Sequence, residues 1–141
     1  MNLNKVFLIG RLVQDVELKY LPSGTSIAVL NIATNRVYKD KQGNTKEETE
    51  YHRVIAWGRL GDLCKKFLMK GRLVFIEGRI HSRSWIDAQG NKRISYEIIA
   101  ENIKFGPKAG DKTAEKEIEE IENELDNYEL PSNFDTLDLP Y

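Results

Sequence analysis

Five runs of apolar or β-branched side chains alternating with polar ones fill most of the first 105 residues: 5–13, 26–38, 49–57, 72–85 and 93–105. Period-two alternation sends successive side chains to opposite faces, so each run reads as a strand with one face for a core. Turn chemistry separates them: Leu21-Pro22-Ser23-Gly24, Asp40-Lys41-Gln42-Gly43-Asn44 and Asp87-Ala88-Gln89-Gly90-Asn91 each stand between strands. Between the third and fourth runs the period changes. Leu60, Leu63, Cys64, Phe67 and Leu68 fall at helical spacing within 59–69, and Gly71 is placed to cap that helix at its C-terminus.

The order strand-strand-strand-helix-strand-strand is that of an OB-fold, so the chain is expected to be all-β: a five-stranded barrel with one helix between strands three and four. A β-sandwich shares the strand count but leaves the helix without a place. The chain of 141 residues holds one compact domain, 1–105, and an appendage. The β pattern stops at Gly106-Pro107 and 108–112 reads as a hinge. From 106 to 134 the composition is that of an acidic linker, in which Ile118, Ile121 and Leu125 share one helical face. Three apolar residues rarely hold a helix alone, so a fluctuating helix is expected there within a flexible acidic tail. Residues 135–141 read as an exposed peptide for a protein partner, with Asp135, Asp138, Leu139, Pro140 and Tyr141 at the tip.

Charge divides at the same place. Residues 1–105 carry 18 Lys/Arg against 11 Asp/Glu, and 106–141 carry 3 against 11, so a formal net charge of −1 conceals a basic body with an acidic tail. That asymmetry suits a polyanion partner for the body and a protein partner for the tail; a solubilising acidic end is the alternative. Cys64 is the one cysteine, which excludes an intrachain disulfide and fits a reducing, cytoplasmic setting, with the thiol as core filler. The apolar stretch 6–13 is interrupted by Arg11 and lacks a cleavage site, so neither a signal peptide nor a membrane partner is expected.

Parity sorts the candidate site. Tyr51, Arg53, Ile55 and Trp57 share one face of the third run, with His52, Val54 and Ala56 opposite; Arg79, His81, Arg83 and Trp85 share one face of the fourth. Thr34, Arg36 and Tyr38 share a side at the end of the second, ahead of a loop containing Lys39, Lys41 and Lys46. Aromatics interleaved with cations are what sequence-tolerant single-strand binding requires, because every base offers a face for stacking and every nucleotide brings a phosphate. Lys5, Arg11, Arg59, Lys70, Arg72 and Arg79 are further phosphate candidates. Each aromatic also has an alternative place in a core or subunit interface, and each cation as a solvated charge.

Catalysis has no comparable pattern. His52 and His81 are the only histidines, no metal-ligand spacing or P-loop occurs, and the carboxylates are scattered, so no enzyme, metal or cofactor is expected.

The residues resemble the bacterial single-stranded DNA-binding protein family. The resemblance lies in Asn4-Lys5-Val6-Phe7-Leu8-Ile9-Gly10-Arg11-Leu12, Asp15-Val16-Glu17-Leu18-Lys19-Tyr20, Thr49-Glu50-Tyr51-His52-Arg53-Val54, Trp57-Gly58-Arg59-Leu60, Lys70-Gly71, Ile76-Glu77-Gly78-Arg79 and Trp85-x-Asp87-x-x-Gly90, in order and spacing. It implies base stacking by Tyr38, Tyr51, Trp57 and Trp85 and phosphate contacts by Lys5, Lys41, Arg53, Arg59, Lys70 and Arg83. It also implies a homotetramer whose interfaces include Asn4, Lys5, Val6 and His52, and a C-terminal tip that recruits replication, recombination and repair proteins in the cytoplasm, at the nucleoid. The chain departs from the family in ending on Pro140-Tyr141 rather than Pro-Phe, in its Glu-rich linker, and in Val16, where proline is common. An RNA-binding or primosome-accessory OB-fold protein and a protein-interaction module are the alternative readings.

Overall fold

The computed structural model of the protein describes residues 1–107, together with Lys116, Glu119, Glu120 and Asn123, which are helical. Six strands and a helix follow in order: β1 (Val6–Leu12), β2 (Glu17–Tyr20), β3 (Ser26–Lys39), β4 (Thr45–Trp57), α1 (Gly58–Phe67), β5 (Leu73–Ile86) and β6 (Lys92–Phe105). Their sheet order is β1-β5-β6-β4-β3-β2, and a further pairing of β1 with β3 closes five of them into the expected OB-type barrel, with α1 between the third and fourth barrel strands, β4 and β5. All pairings are antiparallel except β4 with β6, where Val54 and Ile55 lie beside Ile98 and Ile99.

Closure depends on a close crossing. A Cβ on Gly10 would lie 2.5 Å from the Ala33 carbonyl oxygen and 2.6 Å from Ile32 Cγ2, so only a bare backbone lets β1 pass β3 at this distance. Inside the barrel, Leu12, Leu30, Ile32, Val54, Val74 and Ile76 are buried, as is Cys64 from the inner side of α1. Burial of each large side chain contributes about 1.5 to 3 kcal/mol. It also pushes the Cys64 thiol up to about 11.

Two differences from the sequence expectation concern strands. β2 was not expected: it has four residues and one inward apolar side chain, Leu18, too few for alternation to register, and it lies against Ser26–Val29 through the Leu21–Thr25 turn. β4 begins four residues earlier than its alternation does, because Glu47, Glu48 and Glu50 are all exposed and gain their strand conformation from the ladder with β3, which runs from Ile27↔Trp57 to Lys39↔Thr45. The helix also differs. It ends at Phe67, with the N–H of an extended Leu68 donating to the Cys64 carbonyl, and Gly71 lies in the following turn, donating to the Leu12 carbonyl.

The β3–β4 and β5–β6 hairpins project as arms and share one turn. Asp40 Oδ1 accepts the N–H groups of Gln42 and Asn44, and Asp87 Oδ1 those of Gln89 and Asn91, at 2.9 to 3.0 Å. Gly43 and Gly90, both at φ +81°, supply the left-handed residue that closes each turn. Most of the expected linker 106–134 and the whole tip peptide 135–141 lie outside the described residues.

Candidate nucleic-acid interface

Strand parity and register together build one continuous outer face across β3, β4, β6 and β5. One row runs Val29, Ile55, Ile99, Arg79, since Val29 pairs with Ile55, Ile55 with Ile99 and Ile99 with Arg79. Its first three members form a second apolar cluster outside the barrel, joined by Ile27 and less than a tenth exposed. This cluster is a stiff floor for the side chains around it. Sequence reasoning missed it, although Val54-Ile55-Ala56 and Ile98-Ile99-Ala100, apolar at consecutive positions, signal strands covered on both faces.

Aromatics and cations stand around that floor. Tyr51 and Trp57 occupy β4 on either side of Ile55, paired across to Ala33 and Ile27. Six residue steps along the strand separate them, about 20 Å. On β5, Arg79, His81, Arg83 and Trp85 continue the face along the arm, and the Arg83 guanidinium lies 5.6 Å from the centroid of the Trp85 ring. Tyr51 is 70 % exposed and Trp85 44 %, so both rings present area to solvent that a base can cover. Arg53 is half-exposed beside Glu97, its Nε 3.6 Å from the carboxylate.

The remaining candidates lie elsewhere. Tyr38 belongs to the opposite parity of the β3–β4 arm, under the Arg36 guanidinium at 4.8 Å, so a strand touching Tyr38 and Tyr51 must pass around that arm. Lys41 is exposed in the turn at its tip. Arg59 is exposed in the first turn of α1, one residue beyond Trp57-Gly58, and Lys70 is exposed in the α1–β5 loop, where its backbone N–H donates to Asp15. Lys5 is engaged: its ammonium lies 3.0 Å from Glu77 and 3.4 Å from Glu101, and the hydrogen bond to Glu77 raises its pKa. Among the described residues no group of His, Cys, Asp or Glu is arranged to hold a metal ion.

Of the residues expected at subunit contacts, Asn4 lies just ahead of β1, Val6 opens it and His52 lies on β4. Asn4 extends the β1–β5 ladder with its side chain, Nδ2 donating to the Ile80 carbonyl and Oδ1 accepting the Ile80 N–H. Val6 pairs with Gly78. Among the described residues, Val6 to Gly10 pair through one edge, with β5, and leave the other unpaired. His52 is half-buried, with Nε2 2.8 Å from Thr34 Oγ1.

The sequence model of the single-strand binding protein family matches residues 3–106, which contain every element of this barrel and the whole outer face. The chain belongs to that family. Within it, the chain is 46 % identical over 104 residues to single-stranded DNA-binding protein 1 of Chlorobaculum tepidum, covering 73 % of this chain and 64 % of the relative. It is 41 % identical over 105 residues to single-stranded DNA-binding protein 1 of Xylella fastidiosa, covering 74 % and 77 %. Among solved structures, the Plasmodium falciparum single-strand binding protein in complex with single-stranded DNA superposes with a TM-score of 0.71 at 31 % identity, over 76 % of this chain and 97 % of that one. The single-stranded DNA binding protein of Thermus aquaticus, in a deletion mutant, gives 0.68 at 37 %, over 77 % and 52 %. The match thus spans about two thirds of the Chlorobaculum relative and half of the Thermus chain. The family match lies within residues 3–106, and the segment after Pro107 lies beyond it.

Proposed function

We propose that the chain binds and protects single-stranded DNA with little sequence preference, and that it is a binding protein rather than an enzyme. The observation that carries this reading is the outer face itself: Tyr51, Trp57 and Trp85 with Arg53, Arg79 and Arg83 around the Val29–Ile55–Ile99 floor. Rings held at fixed positions stack any base, at roughly 1 to 3 kcal/mol each, while the cations neutralise phosphates that every sequence carries. The relative solved with single-stranded DNA, at 31 % identity, supports the same ligand here. In this reading Tyr38 stacks a base on the far side of the β3–β4 arm, and Lys41, Arg59 and Lys70 contact phosphates beyond the central face. Lys5 joins them only by exchanging Glu77 and Glu101 for phosphate.

Residues 1–105 are then the DNA-binding domain, 106–134 a linker and 135–141 the peptide that recruits replication, recombination and repair proteins, with Asp135, Asp138, Leu139, Pro140 and Tyr141 as its contacts. The unpaired β1 edge at Val6 to Gly10 supports assembly into a homotetramer through Asn4, Lys5, Val6 and His52. Its place is the cytoplasm, on exposed strands of the nucleoid. No helix among the described residues is long and apolar enough to cross a membrane.

Trp57 and Trp85 are the only tryptophans, so intrinsic fluorescence reads the site directly. Titration with oligo(dT) is expected to quench it strongly, oligo(rU) and duplex DNA less, and affinity is expected to fall as salt rises. Absence of quenching and binding with every strand would overturn the reading and return these rings to a protein interface.

A further inference from the structure

A cleft of about 960 Å³ opens at the C-terminal end of α1, away from the outer face. Its apolar lining is Val16, Phe67, Leu68, Met69 and Phe105, with the Phe67 and Phe105 ring centroids 6.3 Å apart. Phe67 is 50 % exposed and Met69 70 %, an unusual exposure for neighbouring large apolar side chains. Cations rim it. Lys65 donates to the Val16 carbonyl, Lys66 stands 5.3 Å from the Phe67 ring centroid, and Lys70 and Arg72 complete the wall. The one carboxylate in the lining, Asp15, already accepts the Lys70 N–H.

The chain leaves the barrel at this spot. Gly106 donates to the Leu73 carbonyl, and its own carbonyl accepts from Arg72, a cation of the cleft wall. Seven residues, 108–114, then separate Pro107 from the Glu-rich stretch, a span of at most about 25 Å. Within that stretch the described helical residues Lys116, Glu119, Glu120 and Asn123 are exposed and fall at i, i+3, i+4 and i+7, one polar face. The same helical spacing puts Ile118, Ile121 and Leu125 on the opposite face, flanked by Glu115 and Glu122 on one side and Glu117 and Glu124 on the other. An apolar stripe with acidic borders is the complement of an apolar cleft with basic borders.

We propose that residues 115–126 dock in this cleft of their own chain as an amphipathic helix, Ile118, Ile121 and Leu125 against Phe67, Met69 and Phe105 and the flanking glutamates toward Lys65, Lys66, Lys70 and Arg72. Three apolar side chains give a weak contact between separate molecules. A short tether raises the effective concentration to the millimolar range, which makes the intramolecular occupant the favoured one over a second copy or a nucleic-acid strand. The tip beyond residue 134 is thereby directed from one fixed point on the barrel.

The test is limited digestion of the full chain with a glutamate-specific endoproteinase, each rate normalised to the same cleavage in a peptide of residues 108–141 carrying the same tail substitution. Met69→Asp changes an exposed residue and leaves the barrel intact; Ile121→Asp changes the proposed partner. Each is expected to speed cleavage within 115–126 on the order of tenfold, because digestion follows the population of the undocked state. The double variant is expected to be no faster than either single one, the signature of a shared contact. An unchanged rate with Met69→Asp, or effects that multiply, would overturn the proposal. Protection that fades on dilution would assign the cleft to a second copy, and weaker oligo(dT) binding by Met69→Asp at an unchanged cleavage rate would assign it to the strand; either result also overturns it.

Discussion

Nε of Arg53 on β4 lies 3.6 Å from Oε2 of Glu97 on β6, so the outer face holds a carboxylate against one of its own cations. The Glu97 side chain is only 11 % exposed, against 43 % for Arg53. A phosphate approaching Arg53 therefore competes with Glu97. Glu97→Gln is expected to tighten oligo(dT) binding several-fold at low salt and to steepen the salt dependence by about 0.7 in log–log slope for one added phosphate contact. Equal affinity and slope in the two proteins would show that Arg53 does not meet the strand.

Trp85 is the next-to-last residue of β5, on the arm with Arg83 beside its ring, and no apolar cluster of the described residues includes it. Trp85→Ala is therefore expected to weaken oligo(dT) binding by about 1 to 3 kcal/mol, followed through the remaining Trp57, without changing the mass in sedimentation. Loss of the oligomer with unchanged strand binding would place the ring in a subunit interface.

The barrel and the outer face were largely legible in the sequence, because parity alone put Tyr51, Arg53 and Trp57 on one side and Arg79, Arg83 and Trp85 on another. What parity does not give is which strands are neighbours. The parallel pairing of β4 with β6, which brings the two sets onto one surface and Glu97 beside Arg53, depends on barrel closure over long sequence separations. Lys5 shows the same limit: Glu77 reaches it from β5 and Glu101 from the β6 position left over at the register shift beside Gly78, contacts far apart in sequence and invisible in a local pattern. β2 was missed for the opposite reason, being too short to show any period.

Gly10 is expected to be a point of fragility for the fold itself. A methyl group there meets the Ala33 carbonyl oxygen at 2.5 Å and the Cγ2 of the fully buried Ile32 at 2.6 Å, a backbone atom and a β-branched core side chain with little room to turn aside. Gly10→Ala is expected to cost about 1 to 3 kcal/mol in urea unfolding, with a lower midpoint. An unchanged midpoint would mean that the β1–β3 crossing relaxes freely.

Asp87 ties the β5–β6 turn through Arg93 and through the N–H groups of Asn91 and Gln89; the Arg93 hydrogen bond is the largest cause holding its carboxyl below the ordinary value of 3.8. A carboxyl depressed in the folded state stabilises fully above its unfolded pKa and loses that contribution as pH falls through the lower folded value. The turn is thus expected to be intact at pH 5 and above and to loosen below about 4, seen as faster amide exchange at Gln89 and Asn91. Arg93→Ala is expected to move the onset of that loosening upward in pH; an onset that does not move would remove Arg93 as the cause.

The division of charge at residue 105 and the proposed docking of 115–126 make opposite demands on strand binding, which allows one titration to read both. Removing the acidic segment by ending the chain after Pro107 keeps the Gly106 hydrogen bonds to Leu73 and Arg72 and discards more than half a dozen negative charges. Oligo(dT) affinity is expected to rise several-fold at 0.01 M salt, where the Debye length is about 30 Å, and to match the full chain at 0.15 M, where it is about 8 Å. Ile121→Asp instead keeps those charges and releases them from the cleft, so they are able to reach the outer face, and affinity at low salt is expected to fall below that of the full chain. If truncation leaves low-salt affinity unchanged, the tail does not act on the strand site through charge. If Ile121→Asp strengthens binding, the released segment is not what the cations of the outer face would meet.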